Sequence, residues 1–114
     1  MKFINRCVIT LKPKPAFIDW VKSLDVELPE TWDFEGGAYL FDEHESEESL
    51  VDGVSEEARA ILENEFSVWT EDEDRWPKSR DFDTLKQLFI LHIAVAGFDL
   101  GKEPLLRADV ADLV

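Results

Sequence analysis

The apolar positions change their spacing several times along the chain, and each change marks an element. From Arg6 to Leu11 the run RCVITL alternates and is rich in β-branched residues. That predicts a strand with Cys7, Ile9 and Leu11 on one face. KPKP then ends the strand, and Pro15 suits the first position of a helix, where a missing N–H is no loss. In PAFIDWVKSL the spacing becomes helical, with Ala16, Phe17, Trp20, Val21 and Leu24 on one stripe and Asp19 and Lys22 opposite. Between Asp25 and Gly37 the pattern breaks up. A proline and a glycine pair there predict a connector, with one helical turn around Thr31 to Phe34. AYLF, Ala38 to Phe41, reads as a second, short strand.

The longest periodic block follows. Leu50, Val54, Ala58, Ile61, Leu62, Phe66 and Trp69 recur at three and four, and the phase survives Gly53. This favours one helix from about Glu47 to Trp69, although a glycine inside a helix costs about 1 kcal/mol relative to alanine. A break at Gly53, with Ser55 as a new N-cap before Glu56 and Glu57, is the alternative. Further on, Asp81 has the chemistry of an N-cap, and Phe82, Leu85, Leu88 and Phe89 form another helical stripe. HIAVAGFDL alternates as a third strand, with Ile93 and Val95 on one side and Ala94, Ala96 and Phe98 on the other. A continuous buried helix ending at Gly97 fits the same residues, and periodicity does not separate the two. The tail GKEPLLRADVADLV carries Leu105, Leu106, Val110, Leu113 and Val114. The expected order is therefore β-α-β-α-α-β. It describes a two-layer α/β (α+β) domain with three helices on a small three-stranded sheet, parallel or mixed.

Composition narrows the class. A chain of 114 residues is expected to form a single domain spanning 1–114, long enough to fold without a metal or disulfide. With 45% hydrophobic and 11% aromatic residues it has core-forming material, which argues against intrinsic disorder. The one cysteine, Cys7, excludes an internal disulfide framework and fits a reducing compartment. MKFINRCVIT turns polar too early for a signal peptide, and LFILHIAVAGF is too short to span a membrane, so a cytoplasmic location is expected. Twelve basic against 26 acidic residues leave a formal charge of −14. Such a field disfavours nucleic acid and anionic membranes, which bind through Lys and Arg, and attracts basic partners.

Candidate chemistry is sparse. The segment WTEDEDRWPKSRDFD, residues 69 to 83, sets two tryptophans around four consecutive acids. Counted as a calcium loop from Asp72, it has Pro77 where glycine is needed and Asp83 where a bidentate glutamate belongs. It reads better as a turn between helices. Trp76, held extended by Pro77, folds over the core, and Lys78 and Arg80 pair with Glu71, Asp72 or Asp74. The competing reading is a contact with another protein through Glu71, Asp72, Glu73 and Asp74, anchored by Trp76. His44 stands among Asp42, Glu43, Glu45 and Glu47, but one acidic run before a helix is a poor metal site, and solvated acids at a helix start explain it better. His92 lies in the most apolar stretch and is expected to be a hydrogen-bonded core residue. The sequence holds no Gly-rich phosphate loop, nucleophile elbow or Cys/His metal spacing.

NRCVITLKPKPAFIDW, DRWPKSR and GFDLGKEPLL together resemble a group of short, acidic, uncharacterised bacterial proteins, some carried in mobile gene cassettes. The resemblance implies a bacterial, cytoplasmic, single-domain protein and brings no catalytic or binding residues with it. The residues themselves point to a non-enzymatic interaction module for a basic protein partner, of the inhibitor, immunity or DNA-mimic type, with no cofactor. A small-ligand or metal-dependent enzyme using His44 or His92 with nearby carboxylates is the alternative. A homodimer through the third strand and the C-terminal tail is also expected, because an open sheet edge and an apolar tail both invite cover.

Overall fold

A computed structural model describes residues 1–28 and 36–113. The fold is α+β, and its centre is strand β2 (Arg6–Pro13), preceded by a short strand β1 (Lys2–Ile4). Cys7, Ile9 and Leu11 are buried on one face of β2, as the alternation requires, whereas Thr10 and Lys12 face solvent. β3 (Ala38–Asp42) pairs with one edge of β2 and β4 (Phe89–Ala94) with the other, so the order is β3-β2-β4. Both pairings are antiparallel, which settles a direction that the sequence pattern leaves open.

β1 pairs with a fifth strand, β5 (Gly97–Asp99), and extends the β2–β4 ladder across an irregular step. Ile4 faces Gly97 and Val8 faces Ala94, so three residues on one side oppose two on the other. An extra residue of this kind is a β-bulge, which bends the ladder. The Val95 carbonyl at the step accepts the Cys7 thiol at 3.7 Å. Cys7 is a small core residue, 2% exposed.

The helices lie on the face that carries Cys7, Ile9 and Leu11. α1 (Pro15–Lys22) begins with its proline at the predicted first position and buries Phe17 and Val21. Leu24 follows them into the core, but Ala16 is exposed and does not join the stripe. The expected helical turn around Thr31 to Phe34 falls outside the described residues.

The long helix is divided. α2 (Glu47–Glu56) and α3 (Ala58–Ser67) meet at Glu57, whose φ of −98° and ψ of 5° interrupt the helix for one residue. Glu57 still donates to Gly53 O at 3.2 Å and its own carbonyl accepts from Ile61 at 3.0 Å. The phase therefore carries across, and Leu50, Val54, Ala58, Ile61, Leu62 and Phe66 form one buried stripe. Gly53 is not the break. It sits inside α2 beneath His44, whose ring lies 3.4 Å from where a Cβ would be. Ser46, rather than Ser55, is the cap, accepting from Ser49 N–H at 3.1 Å.

α4 (Phe82–Leu88) starts where expected, with Asp81 accepting from Thr84 N–H at 2.8 Å. It runs directly into β4 without a turn residue. Phe89, assigned by periodicity to the helical stripe, is already extended (φ −139°, ψ 148°) and pairs with Pro13. It stays 1% exposed because the first residue of the strand points to the same core that α4 packs on. The strand reading of this region thus holds over the helical one, with four α-helices among the described residues where three were expected.

An aromatic cluster joins the layers. Phe17 lies 4.5 Å from Phe89 between ring centroids, Trp20 lies 5.0 Å from Phe66, and Trp76 lies 6.0 Å from Phe66. Such pairs contribute about 0.5–1.5 kcal/mol each beyond the area they bury. The opposite face of the sheet carries no helix among the described residues, and Leu40, Ile90 and His92 on it are exposed.

Candidate functional site

The acidic segment is held from two sides. After α3 the chain turns through a single 3-10 turn, Glu73–Arg75, capped by Asp72, which accepts from Asp74 N–H at 3.1 Å. Arg75 donates to Ser23 O at 3.0 Å and Leu24 O at 3.2 Å, satisfying carbonyls left over at the end of α1. Trp20 returns a bond from its indole N–H to Arg75 O at 3.0 Å. Glu71, Asp72, Glu73 and Asp74 consequently project from a fixed turn, and all four are exposed.

Trp76 is placed differently from its acids. It is 9% exposed, its backbone is extended before Pro77, and its indole N–H donates to Thr70 O at 2.9 Å. A ring committed to the core in this way supports the turn from beneath and offers little surface to a partner. Arg80 lies over the same ring, 5.2 Å from its centroid. The expected pairing of Lys78 and Arg80 with Glu71, Asp72 or Asp74 is not what forms. Arg80 reaches back to Glu63 on α3 at 2.8 Å, where Arg59 also binds at 2.9 Å. These two guanidiniums, Arg80 first, hold the Glu63 carboxyl below the usual carboxylate range. The Thr84 backbone and hydroxyl do the same for Asp81.

A second acidic surface precedes the turn in sequence. Asp42 to Glu57 holds eight acids and no lysine or arginine. All eight are exposed, and among the described residues only Asp42 has a cation within 4.0 Å, Arg6. Glu47 and Glu48 occupy the first turn of α2, where the helix dipole favours them.

The two histidines do not share a site. His44 is exposed after β3, with Nδ1 3.2 Å from Ser49 Oγ. His92 is exposed on β4, at the other edge of the sheet, and is not the core residue expected. The reason is register: Thr10, its partner on β2, faces solvent too. Among the described residues no group of three or more His, Cys, Asp or Glu is arranged to hold a metal ion.

One charged residue that sequence reasoning passed over is buried. Glu65 on α3 is 6% exposed and accepts from Gly37 N–H at 3.2 Å and from the Tyr39 hydroxyl. Asn64 donates to the same hydroxyl at 3.0 Å. Burial raises the Tyr39 pKa; the Asn64 hydrogen bond opposes that rise and Glu65 adds to it. A Cβ on Gly37 would stand 2.9 Å from the Glu65 carboxylate, and one on Gly36 would stand 2.7 Å from the Leu11 Cβ. The glycine pair is therefore a close-approach device that brings the start of β3 against α3. The signal was available: Glu65 lies four residues from both Ile61 and Trp69, on the apolar stripe itself. Beside this pin, between β3 and α3, an open groove of ≈ 710 Å³ is lined by Tyr39, Phe41, Ile61 and Asn64, with Asp42 and Glu57 contributing carboxylates.

Comparison with known protein families, curated proteins and solved structures found no significant match, so the site stands on its own geometry.

Proposed function

We propose that this protein is a non-enzymatic interaction module that receives a basic protein partner on its acidic helical layer, in the manner of an inhibitor, immunity protein or DNA mimic. The observation that carries the reading is the unpaired acid. Solubility of a small domain needs a net charge of roughly 2–8 in magnitude, whereas this chain carries −14 and leaves the run from Glu43 to Glu57 without an ion pair among the described residues. Self-repulsion of that size destabilises the folded state, and a cationic partner relieves it. Glu71, Asp72, Glu73 and Asp74 add a rigid acidic turn that loses little entropy on contact.

A cytoplasmic setting belongs to the same proposal. The buried, unpaired Cys7 suits a reducing compartment, and no helix among the described residues is long and apolar enough to cross a membrane. The enzyme alternative draws no support from the two exposed, separated histidines.

Capture from a bacterial lysate provides the test. The parent chain is expected to retain a basic protein that moderate salt releases. Reversing Glu71, Asp72, Glu73 and Asp74 to lysine should lose it, as should reversing Glu47, Glu48, Asp52 and Glu56. A captured set unchanged by both reversals would sink the reading.

A further inference from the structure

The molecule exposes more surface than its mass calls for. Its accessible area is 8359 Å², against roughly 6,400 Å² for a folded monomer of 13.1 kDa. Its radius of gyration is 15.3 Å, against roughly 13 Å for a compact chain of this length. The surplus of about 2,000 Å² falls within what each subunit of an obligate dimer hides, roughly 1,000–2,500 Å².

Two exposed apolar regions contribute to it. Every residue from Leu100 to Leu113 is exposed, with Leu105 at 64%, Leu106 at 81%, Val110 at 69% and Leu113 at 70%, and this C-terminal arm turns back so that Val110 lines the groove between β3 and α3. The helix-free face of the sheet shows Leu40 at 53% and Ile90 at 42%.

Charge bears on what covers the sheet face, and the arm sets Lys102 and Arg107 against Glu103, Asp109 and Asp112. The open face draws on alternate residues of three strands. Its ionisable groups are Arg6 and Lys12 from β2, His92 from β4 and Asp42 from β3, and Asp42 sits 4.0 Å from Arg6. A protein of net charge −14 has thus kept one apolar face free of net negative charge. A strongly basic partner would find no attraction there. A second copy of the chain can meet it without opposing the two acidic layers, which point the other way.

We infer that two copies associate symmetrically, each covering the other's open sheet face and C-terminal arm. The interface involves β4 and the tail together with β2 and the outer side of β3, and the acidic helices remain on the outside. A two-fold contact of this kind is closed and self-complementary.

Sedimentation of the full chain across the micromolar range, at moderate salt, tests it. The parent is expected to be a dimer. Leu40→Lys with Ile90→Lys places like charges in the contact and should weaken the dimer roughly a hundredfold or more, since unpaired charge in an apolar interface is costly. Leu105→Asp with Leu106→Asp should weaken it from the other side. All four positions are exposed, so circular dichroism should stay that of the parent in both variants. Glu56→Lys on the helical layer should leave the dimer intact. A parent that is monomeric at high micromolar concentration, that grows into open-ended assemblies, or whose dimer survives both paired variants would overturn the inference.

Discussion

Alkaline titration reports on the Glu65 pin directly, because Tyr39 is the only tyrosine in the chain. In the folded protein burial raises the phenol pKa above its ordinary value, with the Glu65 carboxylate reinforcing the shift and Asn64 opposing it. In the unfolded chain the phenol loses its proton near pH ~10. A group whose folded pKa is raised adds stability that is fully present below the unfolded value and is lost as pH rises towards the folded one. Each pH unit above ~10 therefore removes up to about 1.4 kcal/mol, and somewhat less here because the ring is only partly buried. The tyrosinate absorbance band reads this one side chain without labels. It should stay absent where free tyrosine is half ionised, and should appear together with the loss of circular dichroism. Tyr39→Phe supplies the control. It removes a hydrogen bond to a buried carboxylate, which costs about 2 kcal/mol at neutral pH and lowers Tm by roughly 8 °C. The same variant should flatten the alkaline limb of the stability curve. Tyrosinate developing near pH ~10 in a protein whose circular dichroism is unchanged would refute the reasoning.

Three further outcomes follow from single contacts. Gly53→Ala should stabilise the protein by about 0.5–1 kcal/mol in urea titration, because helix propensity favours alanine and the new Cβ meets His44 at an ordinary 3.4 Å. A loss of stability would show that the His44 ring cannot give way. Arg80→Met keeps an apolar stem over Trp76 but removes the charge on Glu63 and on the ring, so it should cost about 1 kcal/mol at neutral pH. The Glu63 carboxyl is held low, so its share of stability is present above the usual carboxylate range and lost as pH falls through it. The urea midpoint of Arg80→Met should therefore converge with the parent's in acid, and a constant gap between them would contradict this. Raising ionic strength from about 0.01 to 0.15 M shortens the screening length from about 30 Å to 8 Å, and the unpaired acids predict a rise in Tm; a flat or falling Tm would show them to be well dispersed.

Elements with a strict period and their own punctuation were legible from the residues. β2 alternates under β-branched residues, α1 opens on Pro15, and α4 opens on Asp81, so side-chain chemistry alone sets where each begins. Element choice failed where one residue serves two periods. Phe89 continues the stripe of Leu85 yet begins β4, and only its pairing with Pro13, 76 positions earlier, decides which it joins. The division at Glu57 was hidden for a related reason. The buried stripe crosses it in phase, so periodicity does not register the interruption. His92 misled because an apolar neighbourhood in sequence is not a buried one, and among the described residues the sheet has helices on one face only. The acidic turn was legible as charge but not as architecture. That Arg75 would cap α1 and Arg80 would reach α3 depends on how the turn is docked.

Glu65 shows why a charged residue on an apolar stripe calls for a partner search before it is set aside. A carboxylate at 6% exposure without hydrogen bonds would cost several kcal/mol, so its burial demands donors close at hand. The chain provides no cation for it among the described residues, and the donors are a backbone N–H and a phenol. A close backbone approach of that kind requires a residue without a side chain, and Gly36–Gly37 stands 28 residues upstream at the mouth of β3. The glycine pair, read as a connector, is thus the counterpart of the misplaced acid. Either feature alone has an ordinary explanation, and together they specify how β3 meets α3. That contact sets one wall of the groove and the direction in which the acidic layer faces. If the two proposals both hold, a dimer joined through its open sheet faces presents two such layers outward. A basic partner with two sites, or two copies of one, would then bind with an effective concentration that a monomeric acidic surface cannot supply.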